Sequence, residues 1–223
     1  MGSTDHVNKF NWNGFKIRTA TILLAGASCV SLLFVVGSDS TAAQNFNELR
    51  PPSEFSRIQD PQMRSRALFT EAAKVIMNPR CVNCHPATDH PLQGNDQHIH
   101  MPPAIRGDNG DGIGGNTCGA CHMERNVTLH EAANYRSVPG NPRWGLAPIG
   151  MAWEGKSVTE ICTQLKDPSR SGLDLTQLQE HFAKNDLIAW AWNPGLGRDP
   201  VPGTQERLGE LIKTWIDTGA ECP

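Results

Sequence analysis

The chain has 223 residues and a formal net charge of −3, which bounds it to one domain beside any targeting segment, because a domain uses about 100–200 residues. It has no basic stripe and no long Lys/Arg run, which excludes a nucleic-acid footprint. Only 38% of residues are hydrophobic, against 21 Gly and 16 Pro, so the core is thin, the loops are many, and the fold needs a staple or a prosthetic group.

In chain order, Lys9, Lys16 and Arg18 precede an uncharged run from Thr19 to Ser38, which Asp39 ends and Ser-Thr-Ala-Ala follows. A positive flank, an apolar run and a small-residue site read as an export signal cleaved near Ala43. The run is also 20 residues long, enough for a retained transmembrane anchor. Gly26, Ser28 and Ser31 disfavour a buried core helix, and Gly26 replaces the aliphatic residue that a lipoprotein cysteine at Cys29 requires. Both main readings deliver the rest of the chain to the outer, periplasmic compartment. The expected organisation is residues 1–43 as signal or anchor, 44–61 as a Pro-rich linker and 62–223 as the working domain.

The spacing of Leu68, Phe69, Ala72, Val75 and Ile76 predicts a helix from Gln62 to Asn78, stopped by Pro79. From Pro86 to Ala152 the chain shows no sustained period. Arg106–Thr117 resembles a calcium loop but places Gly110 and Gly112 where oxygen ligands are needed, so it reads as a turn-rich loop. The last third is helical. Ser157 and Glu160 form a capping box ahead of Val158, Ile161, Cys162 and Leu165, and Asp174 opens a helix with Leu175, Leu178 and Phe182. Thr204 caps a third helix carrying Leu208, Leu211, Ile212, Trp215 and Ile216, which Gly219 closes. No strand signal of any strength is present.

Two motifs carry chemistry: Cys81-Val82-Asn83-Cys84-His85 and Cys118-Gly119-Ala120-Cys121-His122. Each is C-x-x-C-H, the attachment pattern of c-type haem. Two cysteines on one turn each form a thioether with a haem vinyl group, and the following histidine binds the iron axially. The alternatives are a four-cysteine zinc site and a redox disulfide. Zinc ribbons need no histidine after each pair, and they are mainly intracellular. Of the remaining cysteines, Cys29 lies in the targeting run. Cys162 and Cys222 are then an isolated pair in an oxidising compartment, expected to form a disulfide; two buried free thiols are the alternative.

Each iron needs a sixth ligand or an open position. Met151 is the thioether candidate, with packing against an aromatic as its alternative role. His98, His100 and Met101 crowd one loop, and His100 is the preferred ligand among them. His181 lies on the Leu178–Phe182 face, where a histidine is more often a core or boundary residue, and is held in reserve. His90 and His130 read as surface loop residues. The expected assignment is His85 with Met151 for the first haem and His122 with His100 for the second. Failing Met151, both haems become His/His, using His100 and His181.

The helix before CVNCH, the Met151-Ala-Trp-Glu-Gly segment and the final Trp215-Ile-Asp-Thr-Gly-Ala resemble a single-haem cytochrome c, with Trp153 in the aromatic place of its methionine loop. Residues 67–223 are similar to periplasmic dihaem proteins labelled isoquinoline 1-oxidoreductase subunit, through CVNCHP, PLQG, Arg106-Gly107, the second C-x-x-C-H, MAWEG, QLKDP and GAECP. The resemblance implies a mainly α fold, cytochrome c-like helices with long loops wrapped around two covalent haems and no significant sheet. It also implies single-electron transfer to redox partner proteins, as a free carrier or within a membrane or oxidoreductase complex. No residue pattern reads a small-molecule substrate or a molybdenum cofactor. The competing functions are a haem enzyme such as a peroxidase, which needs one open iron and acid–base residues beside it, and a haem-based sensor, for which no output domain is visible.

Overall fold

The computed structural model of the protein describes residues 47–128 and 137–223. The run read as a targeting segment, Cys29 and the expected cleavage site near Ala43 lie outside them. Among the described residues no helix is long and apolar enough to cross a membrane.

Helix α1, Pro61–Ile76, starts where Asp60 accepts hydrogen bonds from the N–H groups of Gln62 and Met63, and Pro61 occupies its first turn. Proline suits that position because its missing N–H has no intrahelical partner there anyway. The same logic revises the expected end of this helix. Pro79 does not merely stop it: α1 ends at Ile76, and Pro79 begins a separate short helix, α2, Pro79–Val82, capped by the Asn78 side chain. Cys81 therefore rides on α2.

Two two-residue ladders follow, in a region where no strand was expected. Strand β1, Leu92–Gln93, pairs antiparallel with β2, His98–Ile99, and β3, Gly112–Ile113, pairs antiparallel with β4, Asn116–Thr117. The second hairpin turns through Gly115 at φ 80°, a left-handed conformation that glycine adopts without steric cost. Arg106–Thr117 is thus a hairpin region, in line with the turn-rich reading.

Among the described residues five further α-helices follow: α3 Val158–Leu165, α4 Pro168–Ser171, α5 Leu175–Lys184, α6 Asp186–Ala189 and α7 Gln205–Asp217. The Ser157/Glu160 capping box forms, Asp174 opens α5 in a second box with Gln177, and Thr204 caps α7. The class is mainly α.

The core is where α7 packs against both α1 and α5. Leu208, Leu211, Ile212 and Trp215 of α7 are fully buried against Leu68, Phe69 and Ile76 of α1, and the Phe69 and Trp215 rings lie 4.9 Å apart at 50°. Ser65 staples the two ends of this layer: its buried hydroxyl donates to the Trp215 carbonyl at 3.1 Å and accepts from Glu221 N–H at 2.9 Å. The segment expected as a linker contributes Leu49 and Phe55 to the core. Cys162 of α3 is disulfide-bonded to Cys222, with a Cα–Cα distance of 5.7 Å, as the cysteine count led us to expect.

Candidate functional site

The first C-x-x-C-H motif ends helix α2, and residues 147–154 clasp it. Ala147 N–H donates to the Cys84 carbonyl at 3.0 Å, and Trp153 N–H donates to the His85 carbonyl at 2.8 Å. The His85 ring is fixed on two sides. Its Nδ1 lies 2.7 Å from the Met151 carbonyl oxygen, and the Trp153 indole stacks on it at 3.5 Å with 6° between the planes. A carbonyl only accepts, so Nδ1 carries the proton and Nε2 keeps a lone pair. Burial drives the imidazole's pKa down to about 4, so the ring is neutral at pH 7.

The second motif is built differently and reaches the same state. Cys118–Ala120 form a 3-10 turn, with His122 N–H donating to the Cys118 carbonyl at 2.8 Å. His122 Nδ1 donates to the Pro139 carbonyl at 2.8 Å, and the Trp144 indole stacks on the ring at 4.6 Å and 11°. Burial again lowers the imidazole pKa. Next to it, His100 donates from Nδ1 to the Pro102 carbonyl at 2.8 Å, and the His100 and His122 rings are 5.8 Å apart at 55°. Two imidazoles, each with Nδ1 held by a backbone carbonyl, therefore stand close together.

The four motif cysteines are free thiols, in contrast to Cys162 and Cys222. Burial pushes the Cys81 thiol up to about 12 and the Cys84 thiol up to about 11, and raises Cys118 as well. Among the described residues no three His, Cys, Asp or Glu side chains converge to hold a metal ion, so the four thiols are not gathered as a four-sulfur centre.

A cavity of about 590 Å³ adjoins the first motif, a volume in the range of cofactor sites. Cys81, Cys84, His85, Met151, Trp153 and His181 line it, with Leu165, Leu178 and Phe182 supplying apolar wall. The buried Trp153 Nε1–H has no acceptor among the described residues, a donor that the polar edge of a bound group would satisfy. The lining thus fits a large, flat, mostly apolar ligand with polar substituents. A second, smaller cavity of about 130 Å³ is lined by Cys118, Cys121, His122, His100, Trp144 and Arg198, and Cys121 is exposed, so that site is open to solvent on one side. The two cavities share Arg80, Cys84, Trp144 and Trp190 in their walls.

The structure therefore gathers Cys81, Cys84, His85, Met151 and His181 at one cavity and Cys118, Cys121, His122 and His100 at the other. His98 instead pairs with Asp96 at 2.8 Å, and His90 donates to the Ala104 carbonyl at 2.9 Å. His130 lies outside the described residues. Sequence reasoning missed Trp144 and Trp190, which meet edge to face at 4.9 Å, because no period marks them. It also gave no role to Arg106. That buried guanidinium donates to the carbonyls of Ala147, Pro86 at 3.3 Å and Thr88 at 3.1 Å, tying the chain just after His85 to the clasp that holds it.

No family model matches the chain, and no match to it was found among curated proteins or solved structures.

Proposed function

We propose that the chain is a dihaem c-type cytochrome that transfers single electrons to and from redox partner proteins in the periplasm. One observation carries the reading. Two C-x-x-C-H histidines in different local structures are held alike: ring N–H on a backbone carbonyl, face on a tryptophan, Nε2 unprotonated beside two free thiols. Fixing one ring nitrogen by a hydrogen bond, so that the other is presented to a metal, is how proteins prepare a histidine ligand.

Cys81 and Cys84 would hold one haem and Cys118 and Cys121 the other. Each S–H would add across a vinyl double bond of the haem, giving a C–S bond and a C–H bond with no oxidant needed. His85 and His122 would bind the irons from the protein side, and His100 stands where it can complete the second pair. When bound, each haem supplies one-electron chemistry; the protein supplies position, axial ligands and the surrounding dielectric. Leu165, Leu178 and Phe182 supply much of the first site's wall beside His85, with Arg80, Asp111 and Arg143 also lining it, and Trp144 and Trp190 form part of the wall common to both.

Expression in a host with a c-type maturation system, followed by mass spectrometry of the denatured chain, tests this. The expected mass is that of the polypeptide plus two haems, falling to one haem in a variant carrying both Cys118→Ser and Cys121→Ser. A purified protein with zinc bound and no covalent haem would refute it.

A further inference from the structure

The order of elements along the chain makes Met151 the natural sixth ligand of the first haem, opposite His85. The geometry around His85 argues against it. The Met151 carbonyl oxygen accepts the Nδ1–H of His85 at 2.7 Å. In an imidazole ring the Nδ1–H and the Nε2 lone pair point about 144° apart, as the corners of a regular pentagon require. A metal bound to Nε2 at roughly 2 Å, with a sulfur on its far side, places that sulfur about 9 Å from the carbonyl oxygen. An extended methionine separates its own carbonyl oxygen from its own sulfur by only about 6 Å, from standard bond lengths. The plane of the macrocycle would also stand between them. Met151 and the stacked Trp153 therefore belong to the same side of the site as His85.

Of the residues lining this cavity, His181 is the only other imidazole among those described. It projects from α5, between Leu178 and Phe182, which are buried in the core and hold the helix in place. Its ring is half-buried. Among the described residues the ring has one polar contact, and it is long: Asn185 Nδ2 donates to His181 Nδ1 at 3.3 Å. Asn185 Oδ1 is occupied in capping α6 through Leu187 and Ile188 N–H. Binding a metal through Nε2 moves the His181 proton to Nδ1, so the long contact gives way while the cap survives.

We infer that His181 is the sixth ligand of the first haem, and that Met151 is not a ligand but the backbone acceptor that orients His85. This rests on the dihaem reading above. Both sites then follow one plan, a motif histidine anchored on a carbonyl and a tryptophan, and a second imidazole across from it: His85 with His181, His122 with His100. The 5.8 Å between the His122 and His100 rings is close to the roughly 6 Å that two imidazoles on opposite sides of one metal ion adopt, at metal–nitrogen distances of about 2 Å.

The experiment uses the haem-loaded protein and its haem count, optical spectrum and EPR. The expected wild-type spectrum is fully low-spin and lacks the near-infrared charge-transfer band of a thioether-ligated ferric haem. Met151→Leu, which keeps the carbonyl, leaves both haems low-spin. His181→Ala turns one of the two haems high-spin. His181→Met, a variant that keeps the first site filled, introduces the near-infrared band and raises one potential, since thioether ligation raises it. A histidine that merely packs would give neither change. A near-infrared band in the wild type that Met151→Leu abolishes overturns the assignment and leaves the dihaem reading standing. A fully low-spin His181→Ala protein also overturns it. Absence of covalent haem overturns both.

Discussion

His85 follows an α-helix and His122 a 3-10 turn, yet both rings end neutral, with Nδ1 on a carbonyl and one face on an indole. A side-chain acceptor would add charge beside the ring; a backbone carbonyl orients it without doing so. The buried carboxylate among the described residues is on α1. Glu71 on α1 is 1% exposed and accepts from Lys74 at 2.7 Å and from Arg50 N–H at 3.0 Å and Nε at 2.9 Å. Burial pushes its carboxyl up, but the bonds from Lys74 and Arg50 outweigh that and hold it below its ordinary value of 4.5. A carboxylate depressed in the folded state binds fewer protons folded than unfolded as pH falls. Its stabilisation is whole above about pH 4.5, the unfolded value, and is lost as pH falls through the lower folded value. The midpoint of urea unfolding should drop steeply below that pH. Glu71→Gln should be less stable at pH 7 and show a shallower acid decline; equal slopes for both proteins would assign the acid sensitivity elsewhere.

At the scale of elements, the functional reach of α5 is set by how closely α7 lets it approach. Gly209 of α7 faces Ala183 of α5, and a Cβ at position 209 would lie 2.5 Å from the Ala183 Cβ and 2.9 Å from its Cα. Both contacts are with atoms that cannot rotate away, so Gly209→Ala must push the helices apart. Overpacking of this kind costs about 1–3 kcal/mol. Because His181 sits two residues before Ala183, the displacement should move the imidazole as well. The expected outcome is a lower unfolding midpoint together with, on the proposed His181 ligation, a partly high-spin first haem, read in one optical titration; loss of stability with an unchanged spectrum would separate the helix contact from the site. The capping residues Ser157, Asp174 and Thr204 made these helices legible in the sequence, since a cap and an apolar stripe are local signals. Pro79 was misleading because proline both ends one helix and starts the next. The hairpins were illegible because two-residue strands are too short to alternate. Of the site, the cysteine motifs and His100 were readable from spacing and crowding. Trp144 was not, because its role depends on a stacking partner 22 positions away in the sequence. The side of the ring on which Met151 falls was not readable either, because it depends on how residues 147–154 fold back on His85.

A disulfide clamp ties the segment after α7 to α3. After α7 the chain returns to α3, where Cys222 bonds Cys162 across a sequence separation of 60, and Thr159 Oγ1 donates to the Pro223 carbonyl at 2.6 Å. Closing a loop of that length removes unfolded-state entropy worth about 4 kcal/mol in the chain-entropy model. The clamp holds α7 in place, and α7 supports α1, which leads into the first motif, and α5, which carries His181. The second site rests instead on the hairpin β1–β2, the turn at Cys118–Ala120 and residues 139–144, with Trp190 and Arg198 in its wall. Loosening the clamp should therefore reach the two sites unequally. Unreduced peptide mapping should join Cys162 to Cys222. A variant with both cysteines changed to alanine should lose about 4 kcal/mol in urea unfolding. If the dihaem proposal holds, warming should cost the first haem its low-spin character at a lower temperature than the second, because the support lost lies under α5. Simultaneous loss at both haems would show that the molecule melts as one unit, with the clamp stabilising every element alike.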